Sequence, residues 1–290
     1  MKRVGRIRIR TILFLLSFLF GLGMLMYPLV ANLWNEQRQQ KLITTYQEAV
    51  SEISASGGLE EEWARAYAYN NALLPMVLPD SFAEAEERTE EDEEYISCLN
   101  INGDGVMGYI SIPKIDISIP IYHTTDDDVL QKGAGHLEGS SLPVGGESTH
   151  AVIAAHRGLA NASMFTDLDL LEIGDHFLIY VLDDVLCYEV DQILIVEPED
   201  TSALDVVDGE DYVTLLTCTP YGVNTMRLLV RGHRVDYVEE EVAAEEGTAQ
   251  LSVHTSYWMW VALGLLVTAL VILLLILLER RRRRRKAQQA

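Results

Sequence analysis

The sequence has few cysteines and lacks the residue patterns of several common kinds of site. Only three of its 290 residues are cysteine, and this odd number leaves at least one thiol free or paired between chains. The seven histidines form no metal-ligand pairs at a useful spacing, and no HExxH pattern occurs. No glycine-rich phosphate loop follows a strand-like run. The sequence therefore predicts no metal and no nucleotide cofactor.

Basic residues are also scarce outside the two ends of the chain. The chain has 22 Lys+Arg against 44 Asp+Glu, and its formal net charge is −22. More than half of the basic residues lie in 1–10 and 280–286, whereas every acidic residue except Glu279 lies between these ends. An acidic surface repels nucleic acid and anionic lipid headgroups. The charge therefore favours solubility or a lysine-rich protein partner, and it argues against nucleic acid.

Two long runs carry no charge, residues 11–31 and 251–278. At about 1.5 Å rise per residue, each is long enough to cross a hydrocarbon core of about 30 Å as a helix. Basic tails at 1–10 and 279–290 adjoin them, and basic flanks stay cytoplasmic. We expect a protein of the cell membrane with cytoplasmic termini and an extracytoplasmic middle. A cleaved signal peptide is the alternative for the first run, and the middle then still faces outward.

The middle of the chain divides into segments with different residue patterns. Residues 35–72 have the apolar spacing of helices, with a break at Gly57-Gly58. Residues 73–99 mix prolines with an acidic run and are predicted to be a strap or linker. Residues 239–250 are predicted to be an acidic linker. Residues 100–238 are predicted to be a β domain. Its strand-like runs are YISIP, IDISIPIYH, HAVIAA, DHFLIYVL, VLCYEVDQILIVEP, DYVTLLT and MRLLVRGHRV.

Seven or eight short strands with turn signals between them predict a mainly β fold, a closed or nearly closed barrel. A short helical insert is expected at Ser163 to Leu171. The stretch Asn100-x-Asn102-x-Asp104-Gly105 begins like a calcium loop, but position 12 is Ser111 where a bidentate glutamate is needed. A tight turn is the better interpretation of this stretch.

The three cysteines differ in their surroundings. Cys187 lies in an apolar strand-like run, where a thiol packs as a small hydrophobe, and Cys98 lies beside the acidic segment with nothing to ionise it. Cys218 follows the strand-like run YVTLLT and precedes the turn Thr219-Pro220-Tyr221-Gly222. This position exposes a thiol at a strand end, so Cys218 is the candidate nucleophile.

Two further side chains are expected beside Cys218. His156 follows the run HAVIAA at another strand end, and a nearby imidazolium lowers a thiol's pKa and creates a nucleophilic thiolate. Arg227 opens the strand after the cysteine turn, and a hairpin return brings it back beside Cys218. Its guanidinium can stabilise the oxyanion that forms when a thiolate attacks a carbonyl.

At these residues the chain resembles a known family. TLLTCTP matches the TLxTC signature of the sortases, and AAHRGL and NTMRLLVRGHR match the family's histidine and arginine contexts. With GDGVMGYISIPKIDISIPIYH, the acidic prelude and the C-terminal apolar run, the chain is similar to class C, pilin-polymerising sortases. The match is strong from about Asn100 to Val235 and looser elsewhere.

The resemblance implies a fold, a set of roles and a reaction. It implies an eight-stranded sortase barrel with Cys218 as nucleophile, His156 as acid/base and Arg227 as oxyanion-stabilising cation. Class C members also carry a lid with an Asp-Pro-aromatic motif that plugs the cleft. Its nearest counterpart is Asp80-Ser81-Phe82, which lacks the proline.

The implied partners are pilin or surface proteins of the Gram-positive cell surface that carry an LPxTG-like sorting signal. Cleavage gives a thioacyl enzyme, and a lysine on a second pilin accepts the acyl group as an isopeptide bond. Two alternatives stay open: a housekeeping sortase that attaches surface proteins to the cell wall, and a non-catalytic membrane-tethered β-barrel that serves as an assembly platform.

Overall fold

The structure is a computed structural model, and it describes residues 9–73, 78, 80–82, 90–159, 162–248 and six residues within 262–269. The chain divides into two compact units, residues 1–25 with 250–290, and residues 26–249. The predicted second apolar run and the C-terminal basic tail lie almost wholly outside the described residues, as do residues 1–8. The barrel and the candidate site belong to the second unit.

Five α-helices are described. They are α1 (Ile9–Ser56), α2 (Leu59–Ala72), α3 (Glu90–Ser97), α4 (Asp127–Leu130) and α5 (Glu239–Glu245). The first two are separated at Gly57-Gly58, where Gly57 has a φ of 78° that favours glycine. Among the described residues no single helix is apolar over enough length to cross a membrane, although the broken pair Leu16–Met24 and Met26–Ser56 meets the requirement by length and composition.

Eight strands form a closed barrel, as the sequence predicted. They are β1 (Val106–Ile112), β2 (Ile117–His123), β3 (Ala134–His136), β4 (Thr149–Ala154), β5 (His176–Val181), β6 (Asp184–Val196), β7 (Asp211–Thr219) and β8 (Met226–Val235). Their order around the barrel is β1-β2-β3-β4-β7-β8-β6-β5, with β5 returning to β1. The pairs β2/β3 and β4/β7 are parallel and the others antiparallel.

Each of the seven strand-like runs overlaps one of these strands, and β3 is the strand that they omit. It has three residues, Ala134, Gly135 and His136, which is too short to show an alternation of apolar and polar side chains. The short helical insert expected at Ser163 to Leu171 is confirmed only in part. That segment consists of turns and a 3-10 helix at Leu168–Leu170, and Phe165 and Leu168 are fully buried within it.

The N-terminal helices are fixed to the barrel by polar contacts of buried groups. The Tyr46 hydroxyl of α1 donates to the Met107 carbonyl at 3.0 Å and accepts from the Leu182 amide at 2.8 Å. Asn70 of α2 accepts from the Leu142 amide at 2.7 Å and donates to its carbonyl at 3.2 Å. Burial without such partners would be unfavourable, so these bonds specify where each helix lies.

Tyr95 fixes helix α3 to the barrel. Helix α3 follows the segment 73–89 that joins it to α2, and we call this segment the strap. The Tyr95 hydroxyl lies 2.9 Å from Nδ1 of His136 in β3 and accepts from the Thr124 amide at 3.0 Å. The strap between α2 and α3 is thus held at both ends on the barrel. Its described residues are Leu78 and Asp80 to Phe82.

The stretch from Asn100 to Gly105 forms the expected tight turn. The Gly103 amide donates to the Asn100 carbonyl at 3.2 Å, and the Gly105 amide donates to the Asn100 side-chain oxygen at 2.9 Å. The asparagine oxygen that a calcium loop would turn towards an ion is therefore used by the backbone.

Candidate active site

The ends of strands β4 and β7 bring His156 and Cys218 to one rim of the barrel. The two strands are parallel, and Ala154 pairs with Leu216. Beyond this pair, the Ala155 amide donates to the Leu216 carbonyl at 3.1 Å, and the Thr217 hydroxyl donates to the Ala155 carbonyl at 2.7 Å. The next residues are His156, two positions beyond the end of β4, and Cys218 of β7. Their adjacency follows from strand register.

Strand β8 brings Arg227 to the same rim. In the antiparallel β7/β8 ladder Cys218 and Arg227 are direct partners, and the turn between them is the short loop of residues 220–225. Directly opposed residues on such a ladder have Cβ atoms about 4.5–5.5 Å apart. The structure therefore brings all three predicted residues, His156, Cys218 and Arg227, to one end of the barrel.

The strap lies across this rim and contacts two of the three residues. Asp80 forms an ion pair with Arg227 in which Nε donates to Oδ1 at 2.7 Å and Nη2 donates to Oδ2 at 2.5 Å. The Phe82 ring lies 5.6 Å from the His156 ring and 5.2 Å from Cζ of Arg227, measured from ring centroids. Ser81 between them is 1 % exposed. The three residues predicted as a lid thus cover the site.

Leu78, two residues before Asp80, packs into an apolar cluster next to the site. The members of this cluster are Leu78, Leu130, Leu137, Val152, Ala154, Leu204, Leu216 and Leu229, with Phe82, Leu194, Val196 and Ala203 packed against it. Strands β4, β6, β7 and β8 and the 3-10 helix Ser202–Leu204 supply most of these side chains. The strap therefore packs on an apolar cluster as well as lying across the rim.

The Cys218 thiol is neutral in this arrangement. Burial raises its pKa, and the Asp80 carboxylate raises it further, whereas the Arg227 guanidinium lowers it. The expectation that a nearby imidazolium lowers this pKa is therefore wrong for the covered site. The physical reason is burial of the thiol, to which the negative charge of Asp80 adds.

His156 is also held in its neutral form. Burial lowers the pKa of the imidazole, and this effect exceeds the opposing influence of Asp127, whose Oδ1 lies 3.8 Å from Nε2. Asp127 is the first residue of α4 and was not predicted as a site residue. The sequence gives no local signal for it, because 29 positions separate it from His156 and only the fold brings them together.

Arg157 is a second residue that the sequence analysis missed. Its Nε donates to the Thr166 carbonyl at 3.1 Å, its Nη1 donates to the Thr219 hydroxyl at 3.1 Å, and its Nη2 pairs with Asp169. Its side chain thus ties the turn after His156 to the residue after Cys218. The dipeptide His156-Arg157 could have suggested it, because a buried guanidinium at a strand end needs several acceptors.

A close approach of two loops also shapes the rim. Gly158 has a φ of 81°, and a Cβ at this position would lie 2.8 Å from the Tyr221 ring. A larger residue would have to displace the exposed Tyr221 ring, and the positive φ itself favours glycine. Among the residues that the structure describes, no group of three or more His, Cys, Asp or Glu could hold a metal ion.

The family model, the curated relatives and the solved structures that match this chain are all sortases. Residues 110–235 match a family described as Sortase domain. The chain is 32 % identical over 167 residues to sortase D of Bacillus subtilis, an alignment that covers 57 % of this chain and 81 % of that protein.

Solved structures of sortases share the fold and nearly half of the aligned residues. Sortase C of Streptococcus pneumoniae is 49 % identical with a TM-score of 0.62, and the match covers 68 % of this chain and 97 % of that one. Sortase C1 of Streptococcus agalactiae is 46 % identical with a TM-score of 0.63, covering 68 % and 100 %.

Proposed function

The chain belongs to the sortase family of cysteine transpeptidases, with class C members among its structural relatives, and from this premise we propose that it polymerises pilins. In this proposal it cleaves an LPxTG-like sorting signal through a thioacyl intermediate and joins the acyl group to a lysine of a second pilin. The observation that carries the proposal is the meeting of Cys218, His156 and Arg227 at one covered rim.

In the first half-reaction, the Cys218 thiolate attacks the carbonyl carbon of the threonine in the sorting signal. The Arg227 guanidinium, opposite Cys218 on the ladder, donates to the oxygen that becomes negative. The threonine–glycine C–N bond breaks, and protonated His156 gives its proton to the leaving amine nitrogen. The product is a thioester between threonine and Cys218.

In the second half-reaction, a lysine amine attacks the thioester carbonyl. The amine must be neutral to act as a nucleophile, and a free lysine is mostly protonated at neutral pH because its reference pKa is about 10.4. His156, now neutral, accepts the proton as the amide forms. The C–S bond breaks and the thiolate of Cys218 is restored. The product is an isopeptide bond between two subunits.

The strap must leave the rim before either half-reaction. Asp80 occupies the Arg227 nitrogens that would face the oxyanion, and Phe82 lies between His156 and Arg227. Asp80-Ser81-Phe82 therefore acts as a lid in this proposal, and its release both exposes Cys218 and frees Arg227. The lid thereby prevents a reactive thiolate from forming in the absence of substrate.

The proposed reaction takes place on the outer face of the cell membrane, with both termini in the cytoplasm. The two uncharged runs and their basic flanks support this topology. Tethering the enzyme at the surface where its substrates are anchored raises their effective concentration. Labelling of the full-length chain in intact cells with a membrane-impermeant lysine reagent, at the tails and in the middle, tests the orientation.

The reaction is tested with full-length protein and a Leu-Pro-Ala-Thr-Gly peptide. We expect a mass increase equal to the Leu-Pro-Ala-Thr acyl group on Cys218. The increase should be absent from Cys218→Ala and His156→Ala, and present in Cys187→Ala, whose thiol lies elsewhere in the barrel. Equal labelling of Cys218→Ala would contradict the nucleophile assignment.

The acceptor distinguishes pilin polymerisation from the housekeeping alternative. Relatives named sortase A also match the chain, at 29 % identity in Streptococcus agalactiae and 25 % in Bacillus anthracis. The likeness of the fold to sortase C of Streptococcus pneumoniae, whose structure is described in terms of pilin substrate specificity, favours a pilin acceptor. Offered both a pilin domain and a peptidoglycan stem peptide, the acyl-enzyme should transfer to the pilin lysine. Transfer to the stem peptide alone would favour the housekeeping role.

A further inference from the structure

A pocket lies between helix α1, helix α5 and the wall of the barrel. Its volume is about 520 Å³, and it is lined by side chains from residues 32–40 of α1, from residues 239–246 in and just after α5, and from strands β1, β2 and β5. His156, Cys218 and Arg227 are not among the described residues that line it. The reaction proposed above therefore gives this pocket no role.

The lining of this pocket combines many hydrogen-bonding side chains with no positive charge. Helix α1 supplies four amide side chains, those of Asn32, Asn35, Gln39 and Gln40. Three serines, two tyrosines and four acidic residues also line the pocket, and no described residue of the lining is basic. Carboxylates without a neighbouring cation repel a phosphate or another anion. The pocket therefore favours a neutral or cationic ligand that is rich in hydrogen-bonding groups.

Two of the amides are buried and poorly bonded within the protein. Asn35 is 9 % exposed, and its Nδ2 has no hydrogen-bond partner among the residues that the structure describes. Gln39 is 6 % exposed, and its Nε2 makes long contacts, 3.4 Å to the Lys132 carbonyl and 3.5 Å to the Met164 sulfur. A buried amide without a partner is unfavourable, and a leucine of similar size would avoid that cost. A ligand oxygen that accepts from Asn35 would remove it.

The need for an acceptor distinguishes a neutral polyol from an ammonium ion. An ammonium group can donate to the carboxylates of Glu36 and Glu246, but it has no lone pair with which to accept from an amide. A sugar hydroxyl does both. Tyr237, which is 44 % exposed and lines the pocket, offers a ring on which the apolar face of a pyranose can pack. The volume lies within the range of about 300–1,000 Å³ that is typical of small-molecule pockets.

The position of the pocket in the chain indicates where its ligand would lie. The uncharged run 11–31 ends directly before Asn32, and the run 251–278 begins shortly after Glu246. Trp34 is 74 % exposed, and tryptophan is enriched at membrane–water interfaces because its ring is apolar and its N–H is polar. The topology of the proposed function therefore places both pocket helices next to the headgroups of the outer leaflet.

We propose that this pocket binds the neutral sugar headgroup of a membrane glycolipid. The amides of α1 donate to the sugar oxygens, the carboxylates accept from the sugar hydroxyls, and the acyl chains remain in the bilayer. The headgroup thereby bridges α1 and α5, the two helices that lead into the apolar runs. This site depends on the topology of the proposed function and not on its chemistry, so either can fail without the other.

Native mass spectrometry of the full-length protein in detergent tests the site. The probe is monoglucosyl-diacylglycerol. Its controls have the same acyl chains: diacylglycerol lacks the sugar, phosphatidylglycerol is anionic, and lysyl-phosphatidylglycerol carries ammonium groups. Free methyl glucoside tests whether a sugar from another source would serve as well. We expect one glycolipid to bind per chain, at least tenfold more tightly than each control lipid and than the free glucoside.

Two glutamines of α1 give a matched pair of variants. Gln40 lines the pocket and Gln37 does not, and both side chains are exposed, so neither change should disturb the fold. Gln40→Ala should weaken glycolipid binding by about two- to tenfold, which is the size expected for the loss of one hydrogen bond. Gln37→Ala should leave the binding unchanged.

Asn35→Leu separates a role in binding from a role in folding. The change removes the buried amide that lacks a partner, so the thermal midpoint measured without glycolipid should stay the same or rise. The same change should weaken glycolipid binding by about tenfold or more. The rise in thermal midpoint that glycolipid gives the unchanged protein should then be smaller in the variant, because a ligand stabilises the folded state that binds it.

Several outcomes would overturn the proposal. Equal binding of glycolipid, diacylglycerol and phosphatidylglycerol would show that the sugar is not recognised, and preference for the lysyl lipid would assign the pocket to a cationic headgroup. Free glucoside that binds as tightly as the glycolipid would exclude the lipid as the occupant. Equal effects of Gln37→Ala and Gln40→Ala, or a lower thermal midpoint of Asn35→Leu without glycolipid, would contradict the site itself. Acylation of Cys218 by the Leu-Pro-Ala-Thr-Gly peptide, measured on the same protein, tests the proposed function separately.

Discussion

Asp80 and Arg227 form a two-point ion pair across the rim of the barrel, and Arg227 is the ladder partner of Cys218. The pair therefore places both a cation and a negative charge near the cysteine. Burial raises the pKa of Cys218, the Arg227 guanidinium lowers it, and the Asp80 carboxylate raises it. One carboxylate thus binds the arginine and opposes ionisation of the thiol.

Replacing Asp80 by asparagine should activate Cys218. Loss of the charge-assisted bonds, worth about 1.5–3 kcal/mol, favours the open strap by about tenfold or more. Removal of the carboxylate also lowers the pKa of Cys218, because its charge had opposed ionisation. We expect alkylation of Cys218 at neutral pH to be about tenfold faster, with its pH midpoint moved to lower pH.

The ion pair between Asp191 and Arg231 offers a matched control, because Arg231 lies on β8 as Arg227 does. Asp191 binds Arg231 with the same two-point geometry, at 2.9 and 2.8 Å. Asp191→Asn should leave the alkylation rate and its pH midpoint unchanged. If Asp191→Asn accelerated alkylation as much as Asp80→Asn does, the effect would reflect loosening of the barrel and not release of the strap.

His156 should titrate at lower pH when Asp127 is replaced by asparagine. The carboxylate raises the pKa of His156 against the larger lowering by burial. Without it the protonated fraction at neutral pH falls, and acyl transfer should slow by a few-fold, as expected for a pair with one exposed partner. Titration of the His156 Cε1 proton by NMR measures the direction. Asp128→Asn is the control, because Asp128 pairs with Lys132; an equal shift in that variant would argue against a specific pair.

The barrel could be predicted because each long strand shows its own pattern of β-branched and apolar residues between turn residues. Cys218 and Arg227 could be related because one hairpin joins them, so a short-range argument gives their register. His156 needed the resemblance to a family as well as its strand-end position. The parallel β4/β7 pair joins segments more than 60 residues apart, and local pattern does not specify such a pair.

Three features of the site could not be predicted from local pattern. Strand β3 is too short to alternate, Asp127 reaches His156 only through the fold, and the pKa of Cys218 depends on the burial and charge that the strap supplies. The first depends on length, and the other two depend on contacts between distant segments. The strap itself was recognised at Asp80 to Phe82, but its leucine was not.

His136, the buried residue that Tyr95 of α3 contacts, should make the stability of the protein depend on pH. Burial lowers the pKa of His136 to about 4 from an ordinary 6.5. Between these values the unfolded chain binds a proton that the folded chain does not, so stability is present above pH 6.5 and falls as pH drops towards 4. The loss is about 3 kcal/mol. Urea unfolding at pH 7.5 and 4.5 measures it.

The His136→Gln variant isolates this contribution from that of the carboxylates. Its amide can still donate to the Ser141 carbonyl, which His136 Nε2 contacts at 2.8 Å, but it does not titrate. Whatever its stability at pH 7.5, it should lose less free energy of unfolding on acidification than the unchanged protein does. The same loss in both proteins would show that His136 does not take up the proton.

Arg227→Lys should change two rates in opposite directions. A lysine ammonium cannot reproduce the two-point bond to Asp80, so the strap opens more often and Cys218 is alkylated faster. The same ammonium stabilises the oxyanion less well, and loss of such a donor costs about 10²–10³ in kcat.

The two effects separate in the Asp80→Asn background, where the ion pair is already lost. There, Arg227→Lys should lower kcat for thioacyl formation with a Leu-Pro-Ala-Thr-Gly peptide while leaving KM within a few-fold, because an interaction made only in the transition state leaves substrate binding unchanged. Arg231→Lys, which alters an equivalent guanidinium on the same strand, should leave kcat unchanged. An unaltered kcat in Arg227→Lys would limit Arg227 to anchoring the strap, and another donor would then have to face the oxyanion.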